Sequence, residues 1–412
     1  MARASTSHST SKVSPVPSED VTPGTKVGIP VPVSDRYLAI CADELKPVVT
    51  GELTALGATD VTDGFRAVYF TADPRTALVI HLRLASASRI LSVRAAFSAT
   101  TLNIVGSRLN RVKFHEWFAP DAGYMIEGIA GDRGPNAPSS NDVSKAVRLA
   151  VENVFERYEL PRPRVDLKEP KVVIVAYFHA GHFTLSLDTS GKSLHKRGYR
   201  LEPHPAPLKE NLAAGLLHLI GYDGSTPFMD PMCGSGTIAV EASFIALGKA
   251  PLIHRSKGDF GFEWLKGFDR QMWREVQDEA RAVKATEPPH PIVAADIEPL
   301  YIESARKNAL RARVEKHIDF RTGSFFDATA PSASGTLVAN LPYGSRLDAG
   351  RTDWKQFYID VGNALKRKFT GWRAGLLVAE ESDYKFIGLK PKRKIPIMNG
   401  AIPCRFLIFE LY

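Results

Sequence analysis

Cysteine is scarce in this sequence: among 412 residues only Cys41, Cys233 and Cys404 occur, far apart and without a Cys-x-x-Cys pair. That excludes a disulfide framework and a cysteine-rich zinc knuckle, and it fits a reducing compartment. No apolar run approaches the roughly 20 residues that a membrane-crossing helix needs, so a soluble protein is expected. His179, His182 and His204 lack the spacing of zinc ligands, and no metal is expected. The most glycine-rich turn is followed by no Gly-Lys-Ser/Thr and is not spaced Gly-x-Gly-x-x-Gly, which argues against a pyrophosphate ligand. Acidic residues are the minority charge, 45 against 53 Lys plus Arg. The excess of +8 suits a polyanionic partner. What remains is ordinary globular material, 44% hydrophobic and 24% charged, long enough for two or three domains.

Residues 1–34 are rich in Ser, Thr and Pro and carry no hydrophobic period, so a loose tail is expected. A Ser-rich, acid-poor start with Arg3 and Lys12 also resembles an organelle transit peptide, so the expected location is cytoplasmic, or organellar if that resemblance holds. From Asp35 strands and helices alternate. Tyr37–Cys41, Ala67–Phe70 and Ser88–Phe97 read as strands, with helices over Glu44–Leu56 and Pro74–Leu84. Tyr124–Gly128 is a strand and Lys145–Tyr158 an amphipathic helix. Lys171–Ala176 and His182–Leu187 form a hairpin turning at Ala180-Gly181. The last segment is the most regular: strands at Pro227–Asp230, Ile292–Ala295, Ile318–Thr322, Thr336–Ala339 and Gly375–Ala379 alternate with helices, predicting a doubly wound parallel sheet. Lys394–Met398 and Arg405–Leu411, turning at Asn399-Gly400, close it with an antiparallel hairpin.

Two motifs carry chemistry. Asp230-Pro231-Met232-Cys233-Gly234-Ser235-Gly236-Thr237 joins a strand to a helix. Its glycines let the backbone approach a ligand, and the N–H groups of the helix start favour negative charge. Asp296, at the tip of the next strand, can accept both hydroxyls of a ribose, with Ile297 beside it; Ser324 and Phe325 end the third strand where an adenine would rest. The second motif is Asn340-Leu341-Pro342-Tyr343-Gly344, which follows a strand at the ligand edge of the sheet. An exocyclic amine on an aromatic ring is a poor nucleophile because its lone pair is delocalised. Two acceptors, the Asn340 side chain and the Leu341 carbonyl, would hold its hydrogens and direct the lone pair outward, Pro342 would stiffen the loop, and Tyr343 offers a stacking face.

These linked motifs resemble the class I S-adenosylmethionine-dependent guanine-N2 RNA methyltransferases that carry an N-terminal THUMP domain. Ser193–Arg200 with Ala206–Leu212, Phe260–Glu263 and Asn399–Arg405 are similar to the large-subunit (23S) ribosomal RNA branch. The resemblance implies an α/β protein: a Rossmann-like methyltransferase domain over 193–412, a ferredoxin-like subdomain over 35–100 and a THUMP module over 101–192. It implies S-adenosylmethionine held by Asp230, Pro231, Cys233, Gly234, Gly236, Thr237, Asp296, Ile297, Ser324, Phe325 and Asn340. Asn340, Leu341, Pro342 and Tyr343 would hold the reacting base. Arg108, Arg111, Lys113, Lys192, Lys196, Arg197 and Arg200 could meet RNA phosphates. Two positions depart from the family: Leu341 stands where a proline is usual, and Ser324 where an acid often holds the adenine amine. The expected reaction is methyl transfer to guanine N2 in ribosomal RNA. A transfer RNA substrate is the alternative within the class, and an inactive RNA-binding or ribosome-assembly factor is the rival outside it. The amine-holding loop would equally serve a small molecule or adenine N6 in DNA.

Overall fold

The computed structural model describes residues 35–132, 134, 137–200, 208–282, 286–342 and 353–412. The amino-terminal half contains β1 (Arg36–Ile40), α1 (Lys46–Ala55), β2 (Thr59–Gly64), β3 (Ala67–Thr71), α2 (Pro74–Arg83), β4 (Arg89–Ser98), α3 (Leu102–Leu109), β5 (Tyr124–Ala130), α4 (Ser140–Arg157), β6 (Val172–His179) and β7 (His182–Asp188). The first four strands pair antiparallel in the order β2-β3-β1-β4, the ferredoxin-like arrangement. The sheet does not stop there. β4 pairs with β7, β7 with β6 and β6 with β5, so one seven-stranded sheet runs across the expected division at residue 100. Ala180 (φ 49°) and Gly181 (φ 75°) both take the left-handed conformation that a tight two-residue hairpin turn requires.

The carboxy-terminal half contains α5 (Glu210–Ile220), β8 (Phe228–Asp230), α6 (Thr237–Ala246), α7 (Arg270–Arg281), β9 (Ile292–Asp296), α8 (Pro299–Arg311), β10 (Asp319–Thr322), β11 (Gly335–Asn340), α9 (Trp354–Lys368), β12 (Trp372–Ala379), β13 (Arg393–Asn399) and β14 (Ile402–Glu410). Its sheet runs β10-β9-β8-β11-β12-β14-β13. β14 lies antiparallel between β12 and β13, and the other neighbours are parallel. This is the class I methyltransferase sheet, with the terminal hairpin inserted so that its second strand, rather than its first, joins the parallel core.

Three elements were absent from the sequence reading. β2, Thr-Asp-Val-Thr-Asp-Gly, is an edge strand with no buried residue and hence no alternation to read. α3 is short and interrupted by Gly106, and α7 buries only Trp273, Val276 and Ala280 among charged neighbours. α4 starts earlier than its apolar stripe because Ser139 and Asp142 form a reciprocal capping box.

The halves share a core. One apolar cluster joins Leu45 and Val49 of the first sheet's helical layer to Leu212, Leu216 and Ile238 of α5 and α6. A side chain at Gly215 would meet Leu45 at 2.7 Å, so glycine permits this close crossing. Beside it sits a buried ion pair. The Arg197 guanidinium lies 3.4 Å from Glu241 on α6 and donates to the carbonyls of Ala85 (2.6 Å) and Leu194 (2.7 Å), while the Tyr199 hydroxyl donates to Glu241 at 3.0 Å. The charge that crosses the seam is therefore compensated on both sides.

Candidate active site

The carboxyl ends of β8, β9 and β11 converge, as parallel strands require. After Asp230 the chain turns through Pro231–Gly236 into α6. Gly234 (φ 52°) and Gly236 (φ 80°) adopt left-handed conformations. Their requirements differ: a Cβ at Gly236 would meet Ala305 of α8 at 2.9 Å, whereas one at Gly234 would meet nothing within 4 Å. Gly236 is needed for packing, and Gly234 opens onto the cleft.

Asp296 orients this turn. Its Oδ2 accepts the Gly234 N–H at 2.9 Å and its Oδ1 the Glu298 N–H at 3.1 Å, while the Ala295 carbonyl accepts Cys233 N–H at 2.9 Å. Each carboxylate oxygen has two lone-pair directions, so shaping the turn and accepting a ligand hydroxyl are compatible. Asp230, Cys233, Gly234, Thr237 and Asn340 line one narrow cleft with Leu208 and Met232. Burial pushes the Asp230 carboxyl well above the ordinary range, the nearby Asp296 adding to the shift and the Met232 N–H opposing it. Burial also raises the Cys233 thiol, with Asp230 and Asp296 reinforcing, so it is a neutral wall rather than a nucleophile. In the same lining Asn340 Oδ1 is buried without a hydrogen-bond partner among the described residues. A cleft holding an unneutralised buried carboxyl and an orphaned acceptor is built for a ligand that brings positive charge and N–H donors. S-adenosylmethionine, with its ammonium, sulfonium and ribose hydroxyls, meets those requirements.

The structure separates the other sequence candidates. Leu341 donates its N–H to the Leu377 carbonyl at 3.0 Å and buries its side chain in the core beneath α9, so it anchors the loop, and Pro342 follows half-buried. Tyr343 lies outside the described residues. Phe325 is a correction: it is 4% exposed and packs 5.8 Å from both Phe326 and Phe369, which leaves no ring face for an adenine. At that corner Ile297, 59% exposed, presents the apolar surface instead. Ser324 Oγ accepts the Phe326 N–H at 3.1 Å.

Among the basic candidates Arg197 is also corrected, since a side chain committed to Glu241 in the interior cannot reach a phosphate. Arg200 is partly buried; it donates to the Leu208 carbonyl and Thr237 Oγ1, each at 2.8 Å, and so braces two walls of the cleft. Arg111 and Lys196 are exposed, and Arg108 lies over the Phe97 ring. Lys113 and Lys192 are exposed but paired with Glu116 (2.8 Å) and Asp259 (2.6 Å). Leu208 and Met232 were not anticipated as cleft residues, although both sit inside motifs that had been singled out.

Similarity to known proteins agrees with this geometry. Residues 197–408 match the RMKL-like methyltransferase domain, and residues 36–91 match the RlmL ferredoxin-like domain. The candidate RNA methyltransferase slr0064 of Synechocystis sp. is 33% identical over 91% of this chain and 97% of its own length. The ribosomal RNA large subunit methyltransferase K/L of Shewanella frigidimarina is 33% identical over 88% of this chain, but the chain spans only 51% of that relative. A Listeria monocytogenes protein predicted to be an N6-adenine-specific DNA methylase superposes with a TM-score of 0.81 at 29% identity, covering 92% of this chain and 96% of that one. SMU.472, a candidate methyltransferase solved with S-adenosylhomocysteine, does so at 0.81 and 25%, covering 92% and 98%. Matched over more than half its length by the methyltransferase domain and nearly end to end by a relative, this chain belongs to the RMKL-like methyltransferases, S-adenosylmethionine-dependent enzymes of class I fold.

Proposed function

We propose that the chain methylates RNA at guanine N2, with large-subunit ribosomal RNA as substrate and the cytoplasm as its place of work. The observation that carries this reading is the Asn340 Oδ1, without a partner among the described residues, in the lining it shares with Asp230. When bound, S-adenosylmethionine supplies a methyl group made electrophilic by its sulfonium. Asp230 would face the positive charge, Asp296 the ribose hydroxyls and Ile297 the adenine. Asn340 Oδ1 would accept one hydrogen of the exocyclic amine and the Leu341 carbonyl the other, turning the nitrogen lone pair toward the methyl carbon. The chemistry is positioning, with no covalent enzyme intermediate. The names of the K/L relatives support ribosomal RNA, and the net charge of +8 suits it. Residues 101–192 are proposed as a THUMP-type docking module, with Arg108, Arg111, Lys113, Lys192 and Lys196 as its phosphate contacts.

A second reading is adenine N6 in DNA, favoured by the description of the Listeria relative and by a loop that would hold any exocyclic amine. The test is transfer of labelled methyl from the cofactor to total RNA and, separately, to DNA, followed by nucleoside analysis. N2-methylguanosine in the large-subunit fraction supports the proposal; label confined to transfer RNA or N6-methyladenine in DNA replaces it.

A further inference from the structure

A second concavity lies where the two halves meet, between Tyr37 on β1, the face of α2 that carries Ala77, Leu78 and His81, and the segment from Phe262 to Met272 leading into α7. Its volume is about 160 Å³. A cavity of that size accepts a single aromatic ring. None of the residues assigned above to methyl transfer lines it.

Arg94 stands in its wall. β4 changes register against β7 between Val93 and Ala95, a bulge that releases Arg94 from the ladder. Bulges of this kind re-aim a side chain. The Arg94 Nε is buried and has no hydrogen-bond partner among the described residues. Two other guanidiniums at this seam have carboxylate partners, Arg89 with Asp188 and Glu127, each at 2.8 Å, and Arg197 with Glu241, whereas Arg255, among the described residues, donates only to carbonyls. Burial pushes the Arg94 pKa down, and Asp35 and Tyr37 only partly oppose it. Two carboxylates nearby are already committed, Asp73 to the first N–H groups of α2 and Asp269 to those of α7. The rest of the lining is mixed: Leu265, Phe268 and Met272 are partly exposed, Lys266 and Asp269 add charge, and Phe262 is buried edge-on to His81 at 5.0 Å and 5.3 Å from Phe268. His81 has both ring nitrogens engaged, by the Ala77 carbonyl at 2.7 Å and Thr189 Oγ1 at 2.8 Å, so it serves as a surface and not as a base.

We propose that this cleft is a second ligand site for a planar ring bearing an anionic group, the anion on Arg94 and the ring against the partly exposed Phe268, Leu265 and Met272. The ligand class is a pyrimidine nucleotide, free or at an unpaired position of an RNA strand; only the RNA source rests on the proposed function.

The test titrates the full chain at low salt, by calorimetry, with cytidine 5′-monophosphate, cytidine, inorganic phosphate and a short oligocytidylate. The monophosphate should bind in the millimolar range or tighter, and about tenfold more tightly than cytidine. Arg94→Met should lose about tenfold of that affinity, while S-adenosylhomocysteine binds both proteins equally. The variant should fold and melt close to the parent, because Arg94 is only partly buried and its Nε makes no hydrogen bond among the described residues. Oligocytidylate binding that exceeds the monophosphate and is lost in Arg94→Met identifies the RNA source; oligocytidylate weaker than the monophosphate identifies the free nucleotide. No binding of the monophosphate to the parent up to ~10 mM, or equal binding by the variant, overturns the proposal. Crystals of the parent soaked with the monophosphate give a check independent of any variant: phosphate density away from Arg94 also overturns it. Binding at Arg94 without methyl transfer to RNA would overturn the proposed function and leave this site standing.

Discussion

An amide oxygen held in a cleft wall with nothing to accept is a reservoir of unmet hydrogen-bond capacity, and Asn340 is the residue whose removal should be felt most in turnover. Asn340→Ala is expected to lower single-turnover methyl transfer by ~10²-fold or more while cofactor affinity changes little, as when one oriented polar group is removed from a catalytic site. Equal rates for the two proteins would refute its role. Asp230 predicts a pH dependence of opposite origin. Its folded-state pKa is raised, so stability is fully present below the ordinary carboxylate pKa and is lost as pH rises through the folded value. A cationic ligand favours the ionised carboxyl, so cofactor affinity should increase with pH across the same window, with proton release. Calorimetry in buffers of different ionisation enthalpy measures that release, and Asp230→Asn should abolish it while raising the unliganded melting temperature. Both residues were legible in the sequence because each ends a strand inside a recognisable loop. Phe325 and Arg197 were not, since whether an aromatic ring or a guanidinium faces inward depends on partners, Phe369 and Glu241, that are 44 residues away.

At the scale of elements, α6 is held from two sides: its first residue, Thr237, is braced by Arg200, and its middle by the Arg197–Glu241 pair. Arg197→Met leaves Glu241 buried and uncompensated and should destabilise the protein by about 3–5 kcal/mol. Adding Glu241→Leu should recover most of that loss. A denaturant double-mutant cycle measures the coupling, and additive losses would mean that the pair does not act as a unit. Most helices and strands were readable because a buried stripe imposes a period. β2 and α7 were hidden for the same reason, the first having no buried face and the second only three buried residues. The order of the terminal hairpin did leave a trace: Phe406-Leu407-Ile408-Phe409 is a continuous buried apolar run, as an internal strand requires, whereas Arg393–Asn399 is largely exposed, as an edge strand is.

For the whole molecule, the buried His81 couples folding to pH. It projects from α2 against the Phe260 and Phe262 rings of the other half, and burial lowers its pKa to about 4. A neutral imidazole that the unfolded chain would protonate near 6.5 stabilises the fold above that value, and the contribution is lost between about 6.5 and 4, worth about 3 kcal/mol. His195 and His254, half-buried among cations, act in the same direction. Urea unfolding should therefore weaken steeply from pH 7 to pH 5, and His81→Gln should flatten that slope; an unchanged slope would show that His81 is not the titrating group. The pairing of β4 with β7 was not legible locally, because nothing near Arg89–Ser98 announces a partner almost a hundred residues on.

That pairing has a mechanical meaning. Strands in a sheet stand ~4.8 Å apart, so seven of them fix a width of roughly 29 Å from β2 to β5. A plank of that width, spliced to the catalytic half by a common interior, has no hinge among its strands. Under the docking proposed above it would act as a gauge whose two margins keep a constant offset, and an RNA strand held along one margin would be presented to the reaction centre at a single reach. Selectivity for one nucleotide would then be set by measurement rather than by reading letters.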